Sequence, residues 1–362
     1  MLFGQNTLQA TLTVCVTLVA AFIITGFASS SYHRERTTLG VSHYDQGNSL
    51  EVHGELEPAL EEYRKALIFA PDNAQYRLSL ATALLEAGRL DEAQSHLEQL
   101  ITEDPTSGPI NLLLGRLAVQ QRKLKTAVEY YQRGVYQYWP ESQLSQRRQA
   151  RWELASLLNQ TGDRTGFVAE LMQLYTNLPP GDVPQKLKVG FLLLSNGATS
   201  EASRIFQDLV KAAPQNAEVR RGLGESYFHA GDYVSARHEF QRALRLGPQH
   251  QEATQALELT NEVIDMDAAL PYITGAEQMR RNRNLLSRVV RTLEQCNPAS
   301  DLLKQRLTDA SKLLSELPSD VDPAFAMQTT AAKLWADKAA FCGSNVPEDR
   351  ALDTVFQRIG HE

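Results

Sequence analysis

An internal repeat of constant length leaves this chain few possible folds. Three stretches follow one pattern: GELEPALEEYRKALIFAP, GRLDEAQSHLEQLITEDP and GDYVSARHEFQRALRLGP, beginning at Gly54, Gly88 and Gly231. Each starts with Gly, has Ala five positions later and ends with Pro, and Pro71 lies 34 residues before Pro105. A period of this length is typical of stacked helical hairpins, in which each hairpin buries its apolar face against its neighbours.

Small residues recur where the two helices of a hairpin would cross. In the last repeat, Gly224 on the first helix and Ala236 on the second allow close approach, and Phe240 fills the space between hairpins. Gly231 ends the first helix where a left-handed backbone is needed, and Pro248 ends the second because it cannot continue a helix. The pattern therefore predicts an all-α chain.

At these positions the chain resembles the tetratricopeptide repeat (TPR) family. The resemblance implies a superhelical solenoid of about six helical hairpins, at residues 40–73, 74–107, 108–141, 148–181, 183–216 and 217–250. The sixth repeat matches the family best. The fourth departs from it, because Phe167 stands where the family has Ala. Such a resemblance specifies a fold and says little about chemistry.

More helix is predicted after the repeats. Residues 251–270 have the amphipathic spacing of a capping helix, which covers the last apolar face of an array. The repeat is lost in residues 272–362, which we expect to form a C-terminal helical bundle packed on the array. Thr274 and Glu277 form a capping box that opens its first helix.

The N-terminal segment departs from the composition of the remainder of the chain. Residues 8–27 carry no charge and have about the length that crosses a bilayer as a helix. We therefore expect one transmembrane anchor within residues 1–30, followed by a linker at 31–39. A cleaved signal peptide is the alternative, since residues 28–30 are small. The absence of Lys and Arg from the first ten residues favours the anchor.

Two signals disagree on the side of the membrane that holds the array. Arg34 and Arg36 follow the span and favour a cytoplasmic side. Cys296 and Cys342 each end a predicted helix, and a disulfide between them would indicate an oxidising compartment such as the bacterial periplasm. Two free buried thiols are the alternative. We expect a periplasmic array and leave the cytoplasmic orientation open.

No reactive constellation is visible in the sequence. A net charge of −7 argues against a nucleic-acid binder, because phosphate neutralisation needs clustered Lys and Arg. The chain has no phosphate-binding loop, dinucleotide fingerprint or nucleophile elbow, and its eight His residues lack metal-ligand spacing. We expect no enzymatic activity, cofactor, metal or small-molecule substrate. The basic run from Arg280 to Arg291 is interpreted as one solvated helix face.

The TPR resemblance implies a concave groove lined by the first helix of each repeat. The positions that face this groove in the family are here partly apolar with polar rims, and they are Leu112, Arg116, Val119, Trp152, Leu187, Phe191, Leu194, Arg221, Glu225 and Phe228. Such a surface suits an amphipathic helix. Two alternatives remain open: these side chains pack against neighbouring helices, or the chain's own C-terminal helices fill the groove.

These observations favour a non-catalytic, membrane-anchored scaffold or adaptor for protein–protein interactions. Its partner would be a protein, and its role the assembly or maintenance of a membrane or envelope complex. The alternative is a permanent structural subunit of a membrane protein complex.

Overall fold

The computed structural model describes residues 34–296, 301–316, 321–342 and 348–360, together with residues 18, 22, 23, 25 and 32. The described residues form helices and no strand, which confirms the all-α prediction. Helix α1 covers residues 34–52. The others are α2 (Leu56–Phe69), α3 (Ala74–Glu86), α4 (Leu90–Glu103), α5 (Gly108–Gln120), α6 (Leu124–Tyr136), α7 (Leu144–Thr161), α8 (Arg164–Asn177), α9 (Val183–Ser195), α10 (Thr199–Ala212), α11 (Ala217–His229), α12 (Tyr233–Leu246), α13 (Gln251–Met266), α14 (Gly275–Glu294), α15 (Asp301–Ser315), α16 (Pro323–Ala336), α17 (Lys338–Cys342) and α18 (Arg350–Ile359).

The chain divides into two compact units, which we call unit 1 and unit 2. Unit 1 ends at Glu170 and unit 2 begins at Leu171, so the division falls within α8. Unit 1 holds α1 to α7, and unit 2 holds α9 to α18. Consecutive helices pack as antiparallel hairpins in the repeat parts of both units, as the repeat predicts.

Each hairpin pairs a small residue on its first helix with a large one 16 positions later on its second. A Cβ atom added to Gly47 would lie 2.7 Å from the Tyr63 ring, and one added to Gly224 would lie 2.7 Å from the Phe240 ring. Both aromatic side chains are almost fully buried. The first helix therefore needs Gly at these positions to approach its partner, as the sequence predicts.

The start of unit 1 differs from the predicted boundary. Residues 34–39 are helical, so the predicted linker at 31–39 is wrong for most of its length. Arg36 Nη2 donates to the Ile68 carbonyl at 2.9 Å, and His43 stacks on Phe69 with a 5.5 Å centroid distance. Contacts with α2 therefore extend the first helix beyond the repeat consensus.

The third repeat ends in a local feature that the consensus does not contain. Trp139 is buried against Gly108, and its indole nitrogen donates to the Gly134 carbonyl at 2.6 Å. The Gly108 amide donates to the Tyr138 carbonyl at 2.9 Å. The chain then forms a short 3₁₀ turn, Glu141–Gln143, before α7 begins at Leu144. The fourth repeat consequently starts before residue 148.

Unit 2 joins its last repeat to the C-terminal helices through one apolar core. The core takes side chains from α12, α13, α14, α16 and α18, including Tyr233, Val263, Ile264, Leu285, Leu286, Val289, Met327, Trp335, Leu352 and Val355. Helix α13 therefore contributes to the same core as the bundle that follows it. A disulfide joins Cys296 and Cys342 with a Cα–Cα distance of 5.3 Å.

Helix α14 begins as predicted, but its basic run is not a uniformly solvated face. The Thr274 hydroxyl accepts from the Glu277 amide at 3.2 Å. Arg281, however, is 8 % exposed, and it donates to Glu277 Oε1 at 2.7 Å and to the Asp267 carbonyl at 3.0 Å. Arg288 donates to Asp349 Oδ2 at 2.7 Å. The prediction is wrong for Arg281, because the loop before α14 folds back over it.

The predicted anchor at residues 8–27 lies outside the described residues except at positions 18, 22, 23 and 25. Within the described part of the chain, no helix combines the length and the apolar character needed to cross a membrane.

Candidate functional site

The ten predicted groove residues lie on the first helices of successive hairpins, four in unit 1 and six in unit 2. Leu112, Arg116 and Val119 are on α5 and Trp152 is on α7. Leu187, Phe191 and Leu194 are on α9, and Arg221, Glu225 and Phe228 are on α11. Leu112 and Leu194 are only 4 % and 6 % exposed, so they offer little side-chain surface to a partner. Val119 is 37 % exposed.

Unit 1 has a cleft of about 300 Å³ against α3, α5 and α7, which we call the amide cleft. Its lining is mostly uncharged and consists of Gln75, Leu78, Ser79, Thr82, Pro109, Leu112, Leu113, Arg116, Gln143, Gln146 and Gln149. Gln143 and Gln146 escaped the sequence analysis because they precede the repeat as the consensus places it. Gln146 and Gln149 are three positions apart on α7, which indicates one helix face, and Gln143 ends the 3₁₀ turn before this helix.

The single charged side chain of the amide cleft is held by an acidic neighbour. Arg116 makes two parallel hydrogen bonds to Glu153, of 2.9 and 2.8 Å, and the Tyr131 hydroxyl donates to the same carboxylate at 2.8 Å. Burial raises the pKa of Glu153, but the hydrogen bonds from Arg116 and Tyr131 outweigh it and leave the pKa below its ordinary value. Arg116 is therefore charge-compensated within unit 1.

In unit 2, α9 and α11 meet through an aromatic ring and a guanidinium group. The Arg221 guanidinium lies 4.3 Å from the centroid of the Phe191 ring and ion-pairs with Glu218 at 2.8 Å and with Glu225. Phe228 contacts Tyr233 edge to face at a centroid distance of 5.2 Å and packs partly against the C-terminal core. Phe228 therefore exposes only part of its ring.

Unit 2 has a larger cleft, with a volume of about 920 Å³, which we call the acidic cleft. Helices α11, α12 and α13, Arg288 of α14 and the region of α18 form its walls. The lining residues are Arg221, Glu225, Phe228, His229, Phe240, Glu252, Gln255, Ala256, Glu258, Leu259, Glu262, Arg288, Glu348, Asp349, Arg350, Ala351, Asp353, Thr354 and Gln357. The C-terminal helix thus forms one wall of a cleft and leaves space beside the last repeat.

Glu225 is a half-buried carboxylate of this lining. Its side chain is 27 % exposed. Burial raises the pKa of Glu225 above its ordinary value, although Arg221 opposes the shift. Glu153 and Glu225 each pair with Arg, yet their pKa values move in opposite directions. Hydrogen bonds from Arg116 and Tyr131 lower the pKa of Glu153, whereas burial and the like charge of Glu218 raise the pKa of Glu225.

Sequence reasoning found three residues of the acidic cleft, Arg221, Glu225 and Phe228. The alternative that the C-terminal helices fill the groove anticipated a contribution from this region but named none of its residues. Those segments lie outside the repeat, and their contacts span up to 127 positions, as between Arg358 and the Gly231 carbonyl. Among the described residues, no group of three or more His, Cys, Asp or Glu side chains is arranged to hold a metal ion.

Comparison with known protein families agrees with this architecture. A family model described as tetratricopeptide repeat matches residues 44–108, 112–182 and 192–250, which is more than half of the chain. A second tetratricopeptide repeat model matches residues 84–138. The chain belongs to the tetratricopeptide repeat family.

Similar solved structures include YrrB, a TPR protein with an unusual peptide-binding site, at 17% identity and a TM-score of 0.41, covering 54% of this chain and 97% of that one. PilF from Pseudomonas aeruginosa is similar at 16% identity and a TM-score of 0.40, over 61% of this chain and 97% of that one. The TPR2AB domain of yeast Sti1, solved with pHSP90, has 14% identity and a TM-score of 0.34, over 82% and 99%. No curated protein matches the chain.

Proposed function

We propose that this chain is a membrane-anchored, non-catalytic scaffold that binds a protein partner through the first helices of its repeats, during assembly or maintenance of a membrane or envelope complex. The observation that carries the proposal is the pair of clefts, one in each unit, into which the first helices of the repeats present side chains. TPR proteins generally mediate protein–protein interactions. Residues 8–27 would supply the anchor.

Anchoring would make modest affinity sufficient. A protein held at a bilayer meets membrane-bound partners at a raised effective concentration, so that each cleft needs only a moderate dissociation constant. The disulfide between Cys296 and Cys342 supports an array on the periplasmic side, because such bonds persist in oxidising compartments.

The test is recovery of a partner by the full-length chain, solubilised from its native membranes in mild detergent and analysed by mass spectrometry. Trp152→Asp and Phe191→Asp each place a charge on a predicted groove position, one in each unit. We expect them to reduce partner recovery, because an unpaired carboxylate would have to be desolvated against the partner. Tyr272→Asp is the matched control, since Tyr272 is fully exposed and lines neither cleft.

Circular dichroism establishes that each variant is folded before recovery is compared. Unchanged recovery by both Trp152→Asp and Phe191→Asp would exclude the predicted groove positions as the binding surface. A partner that copurifies at fixed stoichiometry would favour a permanent subunit over a transient adaptor. Val119→Asp serves as a second test in unit 1. Val119 is 37 % exposed, so a substitution there is less apt to disturb folding.

A further inference from the structure

The acidic cleft points to a particular kind of partner. We propose that it binds a basic amphipathic helix of the partner protein, with apolar side chains on the cleft floor and Lys or Arg side chains against the acidic walls. This inference rests on the protein-binding function proposed above and adds the site and the chemistry of the ligand.

The floor of the cleft is apolar and partly accessible. Phe228 of α11 and Ala256 and Leu259 of α13 line it, and all three are half-buried. On α13, the spacing of Ala256 and Leu259 places the two on one helix face. Apolar side chains of a bound helix would remove the remaining exposed surface of these residues from water, which provides the attraction.

The walls carry an excess of negative charge. Seven carboxylates line the cleft against three Arg residues and His229. Two of the three Arg residues already have acidic partners within unit 2: Arg221 pairs with Glu218 and Glu225, and Arg288 pairs with Glu262 and Asp349. The local field therefore attracts cations and repels acidic segments.

Two of these carboxylates are available to form ion pairs with a bound ligand. Glu258 and Glu348 are exposed, and neither has an ion-pair partner among the described residues. They lie on different walls of the cleft, Glu258 on α13 and Glu348 just before α18. A helix lying between these walls could place a basic side chain against each of them. The enclosed carboxylate of Glu225 would gain from the same cations, because burial disfavours its charged form.

The volume of the cleft is of the same order as that of a short helical segment. Two turns of α-helix are about 11 Å long and about 10 Å wide, which corresponds to roughly 850 Å³. The cleft holds about 920 Å³. Two turns present apolar side chains at i, i+3 and i+4, and basic residues flanking this stripe would face the two walls.

The experiment is fluorescence anisotropy of the full-length chain in mild detergent. The probe is a fluorescein-labelled synthetic peptide in which Leu and Ala form one helical face and Lys flanks it. A second peptide has Glu in place of every Lys. We expect saturable binding of the Lys peptide and no binding of the Glu peptide.

Charge reversal in the cleft provides the second arm. The double variant Glu258→Lys, Glu348→Lys should weaken binding of the Lys peptide by about tenfold or more, because like charges would oppose each other across the interface. The matched control is Glu129→Lys, Glu141→Lys in unit 1, where both residues are exposed and line neither cleft. This control changes the net charge equally and should alter binding less than about twofold.

Four results would overturn the inference: no binding of the Lys peptide, equal binding of both peptides, no effect of the reversal in the cleft, or an equal loss in the control variant. These results differ from failure of the proposed function. If the Lys peptide does not bind but Trp152→Asp or Phe191→Asp still abolishes partner recovery, the scaffold function stands and the basic-helix ligand is wrong. If no variant changes partner recovery, the function itself is wrong.

Discussion

The amide cleft and the acidic cleft both use the first helices of TPR hairpins, yet they present different chemistry. Glutamine, Ser and Thr side chains dominate the amide cleft, and its one Arg is paired with Glu153. The acidic cleft is about three times larger, and the C-terminal region supplies one wall rich in carboxylates. The comparison teaches that the repeat sets where a cleft can form, whereas residues outside the consensus decide what the cleft can bind.

The largest expected effect comes from removing the support of the α18 wall. Leu352 is fully buried in the core that α18 shares with α13 and α14. Leu352→Ala should lower the free energy of unfolding of unit 2 by about 2–5 kcal/mol, because it leaves a cavity. Hydrogen exchange followed by mass spectrometry should show faster exchange in α13, α14 and α18 and unchanged exchange in α3 and α4.

The matched substitution in unit 1 is Leu84→Ala, since Leu84 is also fully buried. It should accelerate exchange in α3 and α4 and leave α18 unchanged. Equal acceleration of both units by either variant would contradict the division of the chain into two units, and with it the comparison of two separate clefts.

Loss of the disulfide should destabilise unit 2, which holds the acidic cleft, and leave the stability of unit 1 unchanged. The bond closes a loop of 46 positions in unit 2. Cys296→Ala with Cys342→Ala should lower the unfolding free energy of unit 2 by about 2–4 kcal/mol, because the unfolded chain regains conformational freedom. Urea unfolding measures the loss. A reducing agent should reproduce it in the unaltered chain and have no further effect on the variant.

The oxidation state of Cys296 and Cys342 in the cell can be measured directly. Mass spectrometry of protein isolated with its thiols trapped should find the peptides of Cys296 and Cys342 linked. Two free thiols would remove the support for a periplasmic array and direct the partner search to the cytoplasm.

Overpacking of the hairpins should affect both units similarly. A Cβ on Gly115 would lie 2.9 Å from the Tyr131 ring, and one on Gly224 would lie 2.7 Å from the Phe240 ring. Gly115→Ala and Gly224→Ala should each lower the free energy of unfolding by about 1–3 kcal/mol, because the added methyl group displaces the facing aromatic ring. Gly181→Ala is the control, since nothing lies within 4 Å of its Cβ position. Stability equal to that of the control would exclude close helix approach as the role of these glycines.

The smallest expected effect is electrostatic and distinguishes the two clefts by pH. Carbon-detected NMR titration should find the pKa of Glu153 below the ordinary value of a Glu side chain and that of Glu225 above it. The depressed pKa of Glu153 contributes stability that is present above 4.5 and is lost as the pH falls through the folded-state pKa. The raised pKa of Glu225 has the opposite effect: ionisation of Glu225 destabilises the fold as the pH rises above 4.5.

Arg221, Glu218 and His229 surround Glu225 and modulate the midpoint of its titration. Identical midpoints would remove the electrostatic difference between the clefts.

Much of the fold could be predicted because its determinants are local and repeat. The small residue at Gly224 and the ring of Phe240 lie 16 positions apart, so that hairpin geometry brings them together in every copy. The ends of the individual repeats were harder to predict from the sequence. Burial of Trp139 against Gly108 alters the end of the third repeat, and no consensus position indicates it.

The candidate site could be predicted only in part. The repeat consensus selected Arg221, Glu225 and Phe228, which line the acidic cleft, and it also selected Leu112 and Leu194, which are buried. Side-chain burial depends on the neighbouring helix, and a consensus position carries no information about that neighbour.

By itself, the sequence determined an all-α fold of repeated helical hairpins, in which Pro71 and Pro105 lie 34 residues apart. Only the tertiary structure decided that α13, α14 and the α18 region complete a cleft beside the last repeat. Arg358, which donates to the Gly231 carbonyl at 2.9 Å, joins positions 127 residues apart. Local periodicity specifies helices because it repeats within a few residues, whereas contacts of this separation arise only when the whole chain has packed.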